Sequence, residues 1–337
     1  MGKRLVYIDW LKAFGIWLIV FGHVPIQNVW ITNWVHSFHV PLFFIISGFL
    51  YKNNKKFNSY FITNFERLVL VVFPYYIINT ISSYIQIRFL HLRIERDLYD
   101  TIANILLLNN KIGPVWFFVS LFWMKIVFYL LKEVCKLQRG SIFLLSVLFS
   151  FLFWILPLSI PQYQISSFIM CFPFFIIGTI IKNRNILDKK IIQNTRALLI
   201  ILIVSLILSI YGFSCTGEIN VNGLKFGNSY LLFYSVALCG VATFLCISIM
   251  VSTWNYPIKY ITEISNGTIV IVGLHMILVQ FFKFAYKYIF SITSPPPYVD
   301  LFSGVVITFL IIGLLYPLVV RVLHSKYRFI RFFAGKE

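Results

Sequence analysis

"VYIDWLKAFGIWLIVFGHV", residues Val6 to Val24, has the composition of a membrane helix, yet it carries Asp9, Lys12 and His23. About 20 mainly apolar residues span the hydrocarbon core of a bilayer. A charged side chain at the centre of such a helix costs roughly 2.5–3.5 kcal/mol on insertion scales. Three ionisable groups in one span therefore need a reason. A helix turns about 100° per residue, which puts all three within an arc of roughly 60° on one face. A single polar stripe on an apolar helix points into a bundle, towards a cavity or a partner.

The rest of the chain supports the membrane assignment. Its 337 residues are 59% hydrophobic and only 12% charged, against about 25% charged in soluble domains. The apolar residues come in runs, at approximately 6–24, 38–52, 68–88, 114–132, 141–160, 165–182, 197–213, 229–252, 264–284 and 300–321. These runs predict an all-α, multi-span transmembrane helical bundle of about ten spans. The second run is short, and Pro157 and Pro161 predict a kinked region between the fifth and sixth. Amphipathic surface helices are expected near 55–65 and 100–110. The loops are short, so residues 1–337 read as one integral membrane domain with no appended soluble domain. The first run has a basic start but no small-residue cleavage site after it, so it is expected to stay attached.

Net charge is +18, from 29 Lys and Arg against 11 Asp and Glu. In a soluble chain that excess would suggest nucleic acid. Here the basic residues lie in short clusters between apolar runs, which is the membrane pattern. With the N-terminus inside, 20 Lys and Arg fall in inner segments: Lys3, Arg4, Lys52, Lys55, Lys56, Arg67, Lys132, Lys136, Arg139, Lys182, Arg184, Lys189, Lys190, Arg196, Lys259, Arg321, Lys326, Arg328, Arg331 and Lys336. Seven fall outside: Arg88, Arg93, Arg96, Lys111, Lys225, Lys283 and Lys287. Lys12 and Lys125 lie within spans. That split predicts both termini in the cytoplasm of a multi-pass cell-membrane protein. The five cysteines show no C-x-x-C pair and fall mostly inside apolar runs, so they read as small core residues. No metal site is expected.

The polar stripe has depth. If the first helix enters the membrane near Tyr7, Lys12 lies ~8 Å along it and His23 ~24 Å along. Asp9 and Lys12 then sit near the cytoplasmic side, and His23 near the outer side. An ion pair between Asp9 and Lys12 at the interface, with His23 at the far end, is the plainer explanation of the stripe. The second run, "VHSFHVPLFFIISGFLYKNNKK", begins with His36 and His39 and brings His39 to the level where His23 ends the first span. Pro41 suits a first helical turn. Ser47 and Gly48 allow close helix approach. A third histidine, His275, lies in "YITEISNGTIVIVGLHMILVQ", ~21 Å along if that helix starts near Ile261. Ser265 and Asn266 read as capping or close-packing residues, and Glu263 as an interfacial carboxylate. "GPVWFFVSLFW", Gly113 to Trp123, puts Trp116 where an interfacial aromatic belt belongs.

Four of these motifs, "IDWLKAFGIWLIVFGH", "FHVPLFFIISGFLY", "GPVWFF" and "ISNGTIVIVGLH", together resemble the acyltransferase 3 family of integral membrane O-acyltransferases. They run from one end of the chain to the other. The family's first helix carries an Arg and, after ten residues, a His. Here the basic position is Lys12 and the histidine is His23, which resembles the branch with I-D-x-x-K that includes fucose and other sugar O-acetyltransferases. Lys keeps the charge but loses the bidentate fork of Arg. The tyrosine usual in the late motif is replaced by the Ile269-Val270-Ile271 stretch.

The resemblance implies an acyl-CoA donor, usually acetyl-CoA, from the cytoplasm and no resident cofactor. It implies a hydroxyl of a cell-surface or exported saccharide as acceptor, with membrane lipid around the protein. His23 and His39 are then the candidate catalytic residues. Asp9, Lys12, Arg67, Trp116 and His275 are the candidate donor- or substrate-binding residues. The basic inner segments, with Lys52, Lys55, Lys56 and Arg67, suit an anionic donor, and imidazole titrates near neutral pH. Intramembrane charge and histidine also serve proton-coupled transport, so a permease or lipid-linked sugar flippase is the alternative function. An inverted repeat with two matching broken helices, the usual mark of such transporters, is not evident.

Overall fold

The computed structural model describes residues 5–53, 55–89, 98–109, 111–156, 158–188, 194–254, 258–289 and 299–335. The expectations attached to Lys3, Arg4, Arg93, Arg96, Pro157, Lys189, Lys190 and Lys336 lie outside the described residues.

Long apolar runs become helices because a backbone in lipid must satisfy its own N–H and C=O groups. The chain runs through α1 (Val6–His23), α2 (Val29–His36), α3 (His39–Phe49), α4 (Phe57–Asn64), α5 (Val72–Phe89), α6 (Leu98–Leu106), α7 (Trp116–Tyr129), α8 (Arg139–Ile155) and α9 (Ile165–Asn183). It continues through α10 (Thr195–Thr216), α11 (Tyr230–Val251), α12 (Ile258–Asn266), α13 (Thr268–Ile289), α14 (Leu301–Leu323) and α15 (Arg328–Phe332). A two-stranded hairpin, β1 (Ile219–Asn220) and β2 (Lys225–Phe226), joins α10 to α11. Side chains cap several helices: Asn194 accepts from the Arg196 N–H at 2.9 Å, and Asp300 from the Ser303 N–H at 3.0 Å.

Among the described residues, nine helical stretches are long and apolar enough to cross a membrane: Val6–His23, Val29–Phe49, Phe57–Gln86, Gly113–Val134, Gln162–Asn183, Thr195–Thr216, Tyr230–Val251, Thr268–Ala285 and Leu301–Leu323. The remaining apolar run, 141–160, forms α8, which at 17 residues is shorter than these. Three boundaries differ from the sequence expectation. The second crossing begins at Val29 with α2, because a kink at Ser37 and Phe38 joins two short helices where hydropathy alone shows only the second. α4 is not a separate surface helix. It continues into α5 through a π-turn, Phe65–Leu70. The late span starts at Thr268, since Gly267 separates it from α12, so Ser265 and Asn266 end one helix instead of starting the next.

α1 is the hub, packed by α2, α3, α11, α12, α13 and α14. By contrast α10 turns Ile200, Ile203, Ile207 and Tyr211 outward, which is the pattern of a lipid-facing helix. α3 packs on α9 through a pair of glycines. A Cβ on Gly48 would fall 1.9 Å from the Phe175 carbonyl oxygen, and one on Gly178 2.0 Å from that of Ile45. Backbone contact this close needs small residues on both helices. α13 is held to α5 by Asn79, whose amide donates to the Gly273 carbonyl at 2.6 Å. The loop after α1 pairs with the start of α14, where Gln27 N–H donates to the Val299 carbonyl at 2.9 Å. This last pairing holds the loop at the C-terminal end of α1.

Candidate active site

At the N-terminal end of α1 a cavity of about 530 Å³ opens between α1, α3, α4, α7 and α12. Five cationic side chains line it: Lys12 from α1, Lys52 and Lys55 from the segment after α3, Arg67 from the π-turn, and Lys125 from α7. No carboxylate lines it among the described residues. The Lys55 ammonium donates to Thr63 Oγ1 at 3.0 Å, and that of Lys125 to Asn64 Oδ1 at 3.1 Å. π-turns insert an extra residue into a helix and occur often at functional sites. This one carries Arg67 to the cavity wall.

Asp9 is buried, and its carboxylate accepts a hydrogen bond from Ser265 Oγ at 2.7 Å. The bond ties α12 to α1 next to the cavity, where Ser265 and Asn266 are also lining residues. The segment after α15 completes the wall at Ala334. It is anchored by the Tyr75 hydroxyl, which donates to the Phe333 carbonyl at 2.6 Å. Glu263, three residues before Asn266, is also buried. It accepts from the Tyr316 hydroxyl at 2.5 Å and from His324 Nε2 at 3.0 Å. The Tyr316 hydrogen bond, aided by that from His324, holds its carboxyl below the ordinary glutamate range.

At the opposite end of α1 four imidazoles form a row. The His23 ring lies 5.0 Å from that of His275 and 5.8 Å from that of His36, and His36 lies 5.2 Å from His39. Three of them use the same local device. Nδ1 of His23 bonds the Ile19 carbonyl at 2.8 Å, Nδ1 of His39 bonds that of Val35 at 2.8 Å, and Nδ1 of His275 bonds those of Ile271 and Val272 at 3.0 Å. A carbonyl only accepts, so Nδ1 carries the hydrogen and Nε2 of the neutral ring is left with its lone pair. Nε2 of His275 is buried with no hydrogen-bond partner among the described residues. His39 and His275 are buried, whereas His23 and His36 are half-buried. His36 packs where Gly22 leaves room: a Cβ there would fall 2.9 Å from His36 Nε2.

The structure therefore brings His23, His275 and His39 into one cluster, but His36 stands between His23 and His39, which the sequence pairs directly. Lys12 and Arg67 join the basic cavity, and Asp9 flanks it. His275 is the eighth residue of α13, only ~10 Å along it. It nevertheless meets His23, because the helix starts later than its apolar run. Trp116 is buried against Phe117, with ring centroids 6.5 Å apart, and neither faces lipid nor lines the cavity. The Gly-Pro turn before it tucks the ring inward, so the aromatic-belt expectation does not hold.

Lys125 and His36 are the additions. A lone lysine inside "WFFVSLFWMKIVFY" was a visible signal for the first, and spacing from the end of α1 for the second.

The acyltransferase-domain model of the acyltransferase 3 family matches residues 5–317. The chain belongs to the acyltransferase 3 family. Neither the curated proteins nor the solved structures gave a match. As a member of the acyltransferase 3 family the protein is a multi-pass membrane acyltransferase. The matched stretch contains the basic cavity's cations and all four clustered histidines.

Proposed function

We propose that this acyltransferase takes an acyl group, acetyl in the first instance, from acyl-CoA bound at the basic end and transfers it to a hydroxyl of an exported saccharide at the histidine end. One observation carries the assignment: a cavity whose charged lining, among the described residues, is all cationic and a cluster of neutral bases occupy the two ends of one helix. Lys12 and His23 are separated by about 16 Å along α1, a distance that the pantetheine arm of CoA covers. The phosphates of CoA suit Lys12, Lys52, Lys55, Arg67 and Lys125. The arm passes Phe43, which lines the cavity one helical turn from His39. The inside bias of Lys and Arg supports a cytoplasmic location for the basic end, in the cell membrane.

His23 is the general base in this mechanism, because it is half-buried and central while His39 and His275 are enclosed. Its Nε2 takes the proton of the acceptor hydroxyl as the oxygen attacks the thioester carbonyl. The new C–O bond forms, the C–S bond breaks, and the thiolate of CoA leaves. The imidazolium then returns its proton to that sulfur. The carbonyl bond to Ile19 orients the ring. His36, His39 and His275 position His23 and the acceptor.

The test is purified protein in detergent with radiolabelled acetyl-CoA. Release of free thiol, and label on an added glycan, are the expected results. An absence of both, with no binding of CoA, would overturn the assignment in favour of transport.

A further inference from the structure

A second cavity, about 520 Å³, lies at the other end of the bundle, between the C-terminal end of α8, the end of α10, the β1–β2 hairpin and the start of α11. Contacts with α2 fix which end this is. α2 follows His23 and ends in His36. Its Trp34 indole donates to Ser209 Oγ, near the C-terminal end of α10, at 3.0 Å, and its Trp30 ring lies 5.4 Å from that of Phe213. β1 packs on α2 as well. The cleft and the histidine row therefore flank the same short helix, away from the basic cavity.

The chemistry of this cleft differs from that of the first. Trp154, Phe226, Ser159, Glu218, Lys225 and Asn228 line it. Flat aromatic faces stand beside a carboxylate, an ammonium, an amide and a hydroxyl. Such a surface offers apolar contact to the C–H face of a sugar ring and both donors and acceptors to its hydroxyls. Glu218 and Lys225 pair at 2.6 Å with side chains 46% and 58% exposed. Surface pairs contribute little to stability, so the pair is better understood as a rim that can be recruited by a ligand. Leu224, also in the lining, has a φ of 56°. That left-handed backbone is costly for a leucine, and such strain gathers at ligand sites.

We propose that this cleft binds a sugar ring of the acceptor glycan, so that a neighbouring residue of the same glycan presents its hydroxyl to the histidines. The proposal deepens the acyl-transfer function above and rests on it for the identity of the glycan as acceptor. The cleft supplies affinity, and the histidine row supplies chemistry. Trp154 stacks on the ring, Glu218 accepts from its hydroxyls, and Asn228 donates to them through its NH2 and accepts through its oxygen. A monosaccharide seated in the cleft alone is then bound without being acylated, while a longer glycan is bound and acylated.

The experiment measures binding without any donor. Purified full-length protein in detergent is mixed with p-nitrophenyl α-L-fucoside, α-L-rhamnoside, β-D-glucoside and β-D-N-acetylglucosaminide. Saturation-transfer NMR then reads contact with the ring protons. Wild type is expected to saturate the ring protons of at least one glycoside. Trp154→Ala should weaken that binding about tenfold or more. Glu218→Gln keeps the shape of the side chain and should weaken it severalfold, so a folding failure of the first variant leaves the second to decide. Undiminished binding in Glu218→Gln and in a folded Trp154→Ala would overturn the proposal, as would an absence of saturation with every glycoside. Thiol release from acetyl-CoA by the wild type is measured in parallel. Sugar binding without thiol release would remove the donor assignment and leave the cleft. Thiol release without sugar binding would do the reverse.

Discussion

The two ends of α1 carry polar side chains into an apolar bundle by different means. At the basic end the charged side chains that line the cavity are, among the described residues, all cationic, and the cavity is large enough for water and ligand. At the histidine end the groups are neutral when deprotonated, and each of three rings spends one nitrogen on a carbonyl one helical turn back in the chain. Charge in a membrane protein is tolerated where solvent or a ligand can reach it, and neutral bases where they are packed. In the proposed function the difference separates binding from chemistry. Cations hold an anion without entering the reaction, while an imidazole with a fixed tautomer can move a proton.

The largest expected effect is at the histidine end. His23→Ala should lower turnover by about 10²–10⁴-fold, the contribution of a positioned general base, at unchanged protein level. The assay is acetyl transfer at saturating acetyl-CoA. Full activity would pass the role of base to His36, the other half-buried ring. At the basic end the change should appear in donor affinity instead of turnover. Lys125→Met removes a charge and keeps most of the stem. A charge-assisted hydrogen bond contributes about 1.5–3 kcal/mol, so CoA should bind at least roughly tenfold more weakly by calorimetry. Lys12→Arg should bind nearly as wild type, since the charge returns. A turnover defect with unchanged affinity in Lys125→Met would erase the division between the two ends.

A smaller effect is expected at Gly22. A methyl group there meets His36 Nε2 at 2.9 Å, and overpacking of this kind costs typically 1–3 kcal/mol. Gly22→Ala should slow transfer less than His23→Ala and leave CoA binding alone. Equal donor and turnover defects would show that the two ends are mechanically coupled. The smallest effect concerns Glu263. Its carboxyl is held low by Tyr316 and His324. The stability it contributes is therefore present above the ordinary glutamate range, about 4.3, and is lost as pH falls through its lowered value. Thermal melting of wild type and Glu263→Gln should differ at neutral pH and converge in acid. A constant gap would show that the contact acts by shape alone.

Much of this architecture is legible in the residues. Apolar runs locate every crossing because lipid leaves the backbone no alternative to helix. The stripe of Asp9, Lys12 and His23 points inward because its 3.6-residue period is visible. Contacts between distant helices are less legible. His36 sits in a helix whose polar residues, Thr32 and Asn33, hide it from hydropathy. Lys125 is one lysine in fourteen residues of apolar helix, and only the fold shows that it faces Asn64 and the cavity. The second cleft is assembled from three separated segments, none of which has a motif of its own. Trp116 reads as an interfacial residue by composition, yet the backbone turn at Gly113, with φ of 72°, sends it inward.

The wall that Ala334 adds to the basic cavity has a consequence for biogenesis. Among the described residues, the nine membrane-crossing stretches precede Ala334 in the chain, so all nine leave the ribosome before the cavity can close. Insertion and maturation are thereby separated in time: a nascent chain can have these nine stretches threaded through the bilayer while the basic cavity is still open on one side. The carbonyl of Phe333, docking on Tyr75, belongs to a residue that follows all nine of the described crossings. A ribosome stalled a few codons short of it would leave a correctly inserted protein with an unfinished pocket.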